Sequence, residues 1–302
     1  MTQKRSNLWL WIIVGGGSFL FFILCLAALA AVFTNNKNAP RIALSSNMIA
    51  SLEIKGTISD SKAFIDELKE YGNRSNVSSV IIRIDSPGGG VAASQEIYEA
   101  IKKFRAETKK KVVVSMASTA ASGGYYVACA ADRIYANPGS ITGSIGVIAQ
   151  WYDYSDLLRW AKMQSIVIKS GELKDSGSGF RPMTDVEKKY FQSLIDDMHG
   201  QFVSAVSRSR NIPEEEVRKL ADGRVYTGLQ AKENHLVDEI GTFQDAVVAA
   251  AKLGRITGEP KLLTPIKKRF TALDLLLGNA ESVLPLSAAG SESHIRFEYL
   301  WR

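Results

Sequence analysis

The strongest constraint on the fold is an alternation that begins near residue 48. The runs MIASLEI, VSSVIIRI, KVVVSM, RIYAN and SIVIKS are rich in β-branched residues and bounded by turn formers, so they read as strands. Between them, SDSKAFIDELKEYG and ASQEIYEAIKKF repeat apolar residues at spacings of three and four, the pattern of an amphipathic helix. Thr184 and Glu187 form a T-x-x-E capping box that opens a long helix over DVEKKYFQSLIDDMHGQFVSAVSRSR. Strands interleaved with helices predict an α/β domain whose strands pair mostly in parallel.

That domain accounts for residues 46–257 of a 302-residue chain, in which 46% hydrophobic residues suffice for one sizeable core. The formal charge of +6 is spread out and interleaved with acids, as in KKFRAETKKK and EEEVRK; it reads as a solvated surface and implies no nucleic-acid partner. The two cysteines, Cys25 and Cys129, lie in apolar stretches and imply packing rather than a disulfide framework. From Leu8 to Phe33 there are 26 residues without a charge. At about 1.5 Å per helical residue this run is long enough to cross a roughly 30 Å hydrocarbon core. It predicts a retained N-terminal transmembrane helix, because a cleaved signal peptide has an apolar region of only about 7 to 15 residues.

Lys4 and Arg5 precede the run, against Lys37 and Arg41 after it, which places residues 1–7 in the cytoplasm and the domain outside. The expected order is therefore a cytoplasmic start (1–7), a single-pass anchor in the cell membrane (8–33), a linker (34–45), the domain (46–257) and a C-terminal tail (258–302). The tail mixes charge, small residues and a few aromatics, leaving three fates open: disorder, packing on an oligomer, or occupation of a groove as a substrate-like segment.

Two glycine-bearing junctions carry the chemistry. In RIDSPGGGVAAS, residues 83–94, Gly88, Gly89 and Gly90 stand where a strand ends and a helix begins. Neither G-x-x-x-x-G-K-[ST] nor G-x-G-x-x-G is present, so a phosphate loop is excluded. A plain tight turn and a set of exposed N–H groups facing an oxyanion both remain. In STAASGGYYVACAAD, Ser122 ends a strand and starts a helix. It reads either as an N-cap or as a nucleophile whose developing charge the Gly123 N–H and the helix terminus would stabilise.

A nucleophile needs a base. His199, His235 and His294 lie in the C-terminal half and tail, and none sits in a triad-like segment. Lysine serves instead where burial or a neighbouring cation leaves part of the amine neutral. Lys169 and Lys174, in IVIKSGELKDSGSGF, stand beside a glycine- and serine-rich loop that would edge a cleft; the residues alone do not choose between them.

SPGGG, STAASGGYYVACAADRIYANPGSITGSIGVI, SGELKD and the later ADGRVYTGLQAKENHLVDEIG, in this order and spacing, resemble the signal peptide peptidase A family in its short bacterial form, peptidase family S49 of the Clp-peptidase and crotonase-like superfamily. The resemblance covers nearly the whole chain. It implies a Clp-peptidase/crotonase-like fold of repeated β-β-α units and a membrane-anchored serine endopeptidase that degrades signal peptides left after secretion. It implies Ser122 as nucleophile, Lys174 as general base, Gly89 and Gly123 as the oxyanion hole, and Ser144 as the hydroxyl that orients the lysine. No metal or cofactor is implied. Cleaved signal peptides and other unfolded or hydrophobic peptides are the expected partners, together with copies of the chain in a ring or dome whose sites are completed by adjacent protomers. A crotonase-like acyl-CoA enzyme and a non-catalytic membrane scaffold are the competing readings.

Overall fold

The computed structural model describes residues 47–264 and 297–301, all within one compact unit that spans residues 46–302. Its centre is an eight-stranded sheet. β1 (Met48–Lys55), β2 (Val77–Ser86) and β4 (Lys111–Ala121) run parallel side by side, and β9 (Lys261–Leu263) adds to the free edge of β1. β4 is long enough to pair twice on its far side. Its first half takes β5 (Arg133–Ala136), beyond which lies β8 (Glu239–Ile240). Its second half takes β6 (Ile141–Gly143), followed by the antiparallel β7 (Val225–Thr227). A second, two-stranded sheet pairs β3 (Gly88–Gly90) with β10 (Glu298–Leu300).

The alternation of side chains along the central strands produces two cores. Val80, Ile82 and Ile84 of β2 and Val112, Val114 and Met116 of β4 face the larger one, while Ile81 and Val113 face the smaller. The larger core is covered by α1 (Lys62–Asn73), α2 (Val91–Thr108), α3 (Gly123–Ala128) and α5 (Asp185–Arg210), through Leu68, Ile101, Tyr125 and Phe202. The segment that enters α5 contains the short α4 (Ser155–Trp160). Beyond α5 lie α6 (Glu214–Leu220) and α7 (Gly228–Glu233), and α8 (Phe243–Leu253) covers the smaller core with Ala246, Val247 and Ala250. Ile81, Ile82 and Ile84 are fully buried. Side chains of this size contribute about 1.5–3 kcal/mol each when removed from water.

The predicted α/β class with parallel pairing is observed, and α5 starts at the predicted capping box, with Thr184 accepting from the Glu187 N–H. Two expectations are corrected. SIVIKS forms no strand: Ile166 and Ile168 are 83% and 96% exposed, and the segment has no ladder partner. A β-branched composition favours a strand only where a neighbouring strand and a buried face are on offer.

The second correction concerns the membrane. No helix among the described residues is long and apolar enough to cross one, and the stretch 8–33 lies outside those residues, as do 1–7 and 34–45. The transmembrane helix, the membrane as partner, the cell-membrane location and the membrane-retained signal peptide as substrate thus have no support among the described residues.

Candidate active site

The site forms where β4 and β6 leave the sheet. Ala121 and Gly143 are ladder partners, so Ser122 and Ser144 emerge side by side. The Ser122 N–H donates to the Gly143 carbonyl at 2.8 Å, and the Ser144 N–H to the Arg224 carbonyl at 2.8 Å. Both serines have positive φ, 52° and 50°, which non-glycine residues seldom adopt and which the two flanking ladders enforce. Ser122 therefore sits on a sharp strand-to-helix turn, at the head of α3. Its hydroxyl makes no capping bond, which removes the N-cap reading. The residue is almost wholly buried.

The glycines of β3 reach the same point from the other side. Gly88 has φ +103°, and the turn is fixed by its N–H donating to Ser86 Oγ at 3.1 Å. A Cβ at Gly88 would lie 2.7 Å from the Gly123 nitrogen, and a Cβ at Gly123 would lie 3.2 Å from the Gly89 nitrogen. Only residues without side chains let these backbone nitrogens converge. Gly124 has a packing role, since its Cβ would stand 3.1 Å from the Ser86 carbonyl oxygen.

One carbonyl already lies in the space they define. β10 runs antiparallel to β3 with Tyr299 opposite Gly89. The Val91 N–H bonds the Phe297 carbonyl at 3.3 Å and the Trp301 N–H bonds the Pro87 carbonyl at 2.8 Å, which makes Gly90–Glu298 and Gly88–Leu300 the widely spaced pairs. Gly89 and Tyr299 between them are then the closely spaced pair that exchanges N–H and carbonyl groups. The Tyr299 oxygen lies 3.1 Å from the Cβ position of Gly123. On its other edge β10 pairs with Ile148, which exchanges two bonds of 3.0 and 3.1 Å with Glu298. The described end of the tail, 297–301, thus occupies a groove between β3 and the chain after β6, the third of the fates left open by the sequence.

The predicted base is not brought to this point within one chain. Lys174 lies in a single 3₁₀ turn, Glu172–Asp175, exposed, and among the described residues its ammonium makes neither a hydrogen bond nor an ion pair. Lys169 is committed elsewhere, to the Glu172 carbonyl at 2.7 Å and Asp175 at 2.5 Å. Arg181 bridges Asp175 Oδ2 at 3.0 Å and Glu187 Oε2 at 2.9 Å, anchoring the turn to the start of α5. Its guanidinium holds the Glu187 carboxyl down at about 2 and Asp175 well below the usual carboxylate range. This segment is unusually apolar outside: Trp160, Ile166 and Ile168 are all more than four-fifths exposed. Exposed apolar groups gathered in this way mark an interaction surface.

His199 bonds the Ala221 carbonyl at 2.8 Å, His235 lies in a turn at the end of α7, and His294 lies outside the described residues; neither described histidine bonds Ser122. Among the described residues no group of three His, Cys, Asp or Glu could hold a metal ion. Sequence reasoning missed the aromatic pocket under β10, formed by Tyr98, Tyr126 and Phe202. Its only sequence signal was the FEYLW cluster at the end of the tail.

Comparison with known proteins gives the chain its relatives. The family model of peptidase family S49 matches residues 104–257, and that of Clp protease matches residues 41–140. A Synechocystis protein named as a protease is 44% identical over 234 residues, covering 75% of this chain and 83% of the relative. A protein of Enterococcus faecium named for signal peptide peptidase SppA is 34% identical, covering 70% of this chain and 65% of its own length. A protease-named protein of Methanocaldococcus jannaschii is 37% identical, covering 66% and 63%.

Proposed function

Because the chain belongs to peptidase family S49 and is a serine peptidase of the Ser-Lys type, we propose that Ser122 is its nucleophile, Lys174 its general base, and the Gly89 and Gly123 N–H groups its oxyanion hole. The observation that carries this reading is the close approach of the Gly123 backbone to the Gly89 nitrogen at the turn occupied by Ser122, with the Tyr299 peptide paired opposite Gly89. Ser122 Oγ attacks the carbonyl of an extended peptide held as β10 is held. The hydroxyl proton passes to the Lys174 amine, and the negative oxygen forms between the two glycine N–H groups. The proton then goes to the leaving amine, and water releases the acyl group from Ser122. Two preorganised N–H donors of this kind are worth about 10²–10³ in kcat apiece.

Lys174 reaches Ser122 from a neighbouring copy of the chain. The exposed, unpaired ammonium and the apolar face around it are the features a second copy would cover, in the cyclic arrangement common among homo-oligomers. Ser144, which emerges beside Ser122, accepts from the incoming amine and aims it in this reading. Unfolded peptides are the substrates that such a strand-lined groove admits.

The test is labelling of the full-length protein with a fluorophosphonate probe, alongside hydrolysis of an unstructured peptide. Modification at Ser122 that disappears in Ser122→Ala, together with loss of hydrolysis in Lys174→Ala, supports the reading. An acyl-CoA enzyme or a scaffold would show neither.

A further inference from the structure

β4 reads in two halves, the β-branched KVVVSM and the small-residue ASTAA, and between them its ladder to β2 slips. Ile84 of β2 pairs with Met116, but Ser86, two residues on, pairs with Ala120, four residues on. Ala117, Ser118 and Thr119 therefore stand opposite the single residue Asp85. At this bulge the far edge of β4 also changes partner, residues 113–116 pairing with β5 and residues 119–121 with β6. The next residue is Ser122. Whatever fixes the bulge fixes where the serine arrives.

A bulge frees backbone groups from the ladder, and each needs another partner. Three side chains supply them. The Thr119 N–H donates to Asp85 Oδ1 at 3.2 Å, Asn137 Nδ2 donates to the Met116 carbonyl at 3.0 Å, and the Ser140 hydroxyl donates to the Ala117 carbonyl at 2.6 Å. Of the three, only Asp85 comes from β2, the strand that leads into the glycine turn. Its own carbonyl accepts from the Gly56 N–H at 2.9 Å, which ties it to the end of β1. Lys55 is its ladder neighbour, yet among the described residues Asp85 forms no ion pair, and its carboxylate bonds Thr119 alone. An ionised acceptor makes that bond stronger than a neutral one would.

We infer that Asp85 is a positioning residue for the peptidase. By holding the Thr119 N–H it sets the bulge of β4, and so places Ser122 against Gly89 and Gly123. The inference rests on the Ser122 reading given above, and Asp85 itself touches neither substrate nor the reacting atoms. Two adjacent residues of β2 then hold the two halves of the site. Asp85 holds the strand that delivers the nucleophile, and Ser86, which accepts from the Gly88 N–H, holds the turn that delivers the Gly89 N–H. Without the carboxylate, the Thr119 N–H loses its acceptor and the bulge can relax. A shift of about 1 Å at a nucleophile costs about a hundredfold in rate.

The test is kinetic and uses the full-length protein. Asp85→Ala is expected to lower kcat for an unstructured peptide by about tenfold to a hundredfold, to slow fluorophosphonate labelling of Ser122 by the same factor, and to leave KM unchanged. Asp85→Asn keeps an acceptor oxygen at the same reach without the charge, and should recover most of both rates. Asp85→Glu keeps the charge but lengthens the side chain by a methylene, and should stay slow. These two variants decide the matter even where the alanine variant fails to fold. Wild-type rates in Asp85→Ala, or a rise in KM with kcat intact, overturn the inference. So does an active glutamate variant beside a slow asparagine one, which would assign the role to the charge and not to the bond with Thr119. A wild-type protein that neither labels at Ser122 nor hydrolyses peptide overturns the peptidase reading, and this inference with it.

Discussion

The Gly89 nitrogen and the Cα of Gly123 are near neighbours: a Cβ on Gly123 would lie 3.2 Å from that nitrogen and 2.5 Å from Ser94 Oγ. The hydroxyl of Ser94 is the end of a short rotatable side chain, whereas the space beside Gly89 is the proposed oxyanion hole. Gly123→Ala should therefore fold and yet lose about 10²–10³ in kcat, the value of an oxyanion donor. Gly89→Ala differs, because its Cβ would stand 2.1 Å from the Ile58 carbonyl oxygen, a backbone atom that cannot turn aside. That variant should melt lower as well as lose activity. Melting curves beside peptide hydrolysis separate the two cases, and wild-type turnover in Gly123→Ala would remove this residue from the site.

Completion of the site by a second copy makes a different demand. Ser122→Ala and Lys174→Ala are each expected to be inactive alone. Mixed under conditions that let subunits exchange, they should recover activity, since about one in four interfaces of a randomly mixed ring joins an intact serine to an intact lysine. Titrating one variant into the other and following hydrolysis checks this. A mixture as inactive as its components would mean that serine and lysine come from the same chain.

How far the sequence spoke depends on the range of the interactions involved. β1, β2, β4 and β5 and the Thr184–Glu187 box are local patterns and were readable as written, whereas the two- and three-residue strands β6 to β9 are too short to carry a pattern. Ser122, Gly123 and the glycines 88–90 could be singled out because they stand where a strand ends or a helix begins; Ser144, and Gly89 among its neighbours, came from the family resemblance. The choice of Lys174 over Lys169 came only from the family resemblance. The pairing of Tyr299 with Gly89 joins opposite ends of the domain across a low-complexity tail, and no periodicity announces such a contact. SIVIKS misled for the opposite reason: its composition is that of a strand, but among the described residues the fold gives it no partner.

Cys129 lies at the end of α3, about two helical turns from Ser122, and offers a second nucleophile that the chemistry does not use. It is buried, and burial pushes its thiol up to about 12. At pH 8 it is therefore a neutral thiol without access to solvent and should resist alkylation. Treating the folded protein with iodoacetamide and mapping the peptide that contains residue 129 should find it unmodified, while the same treatment in denaturant modifies it fully. Rapid native-state modification would show that α3 opens.

The turn that carries Lys174 should depend on pH through Glu187. Its carboxyl is held at about 2 against an ordinary 4.5, first by the Arg181 guanidinium and further by the Thr184 N–H and hydroxyl. A carboxylate more acidic in the folded chain than in the unfolded one stabilises the fold above its unfolded value. That contribution is lost as pH falls from about 4.5 towards about 2. Glu187→Gln removes the charge at every pH. At pH 7 it should melt below the wild type, and the gap should narrow through this acid window and vanish below it, where Glu187 is itself neutral. Arg181 also ties Asp175 to Glu187, so the variant should lose activity at neutral pH by loosening the turn that presents Lys174. A melting gap that stays constant from pH 7 to pH 2 would show that glutamine is disfavoured here for its shape, and that the Arg181 ion pair does not hold the turn.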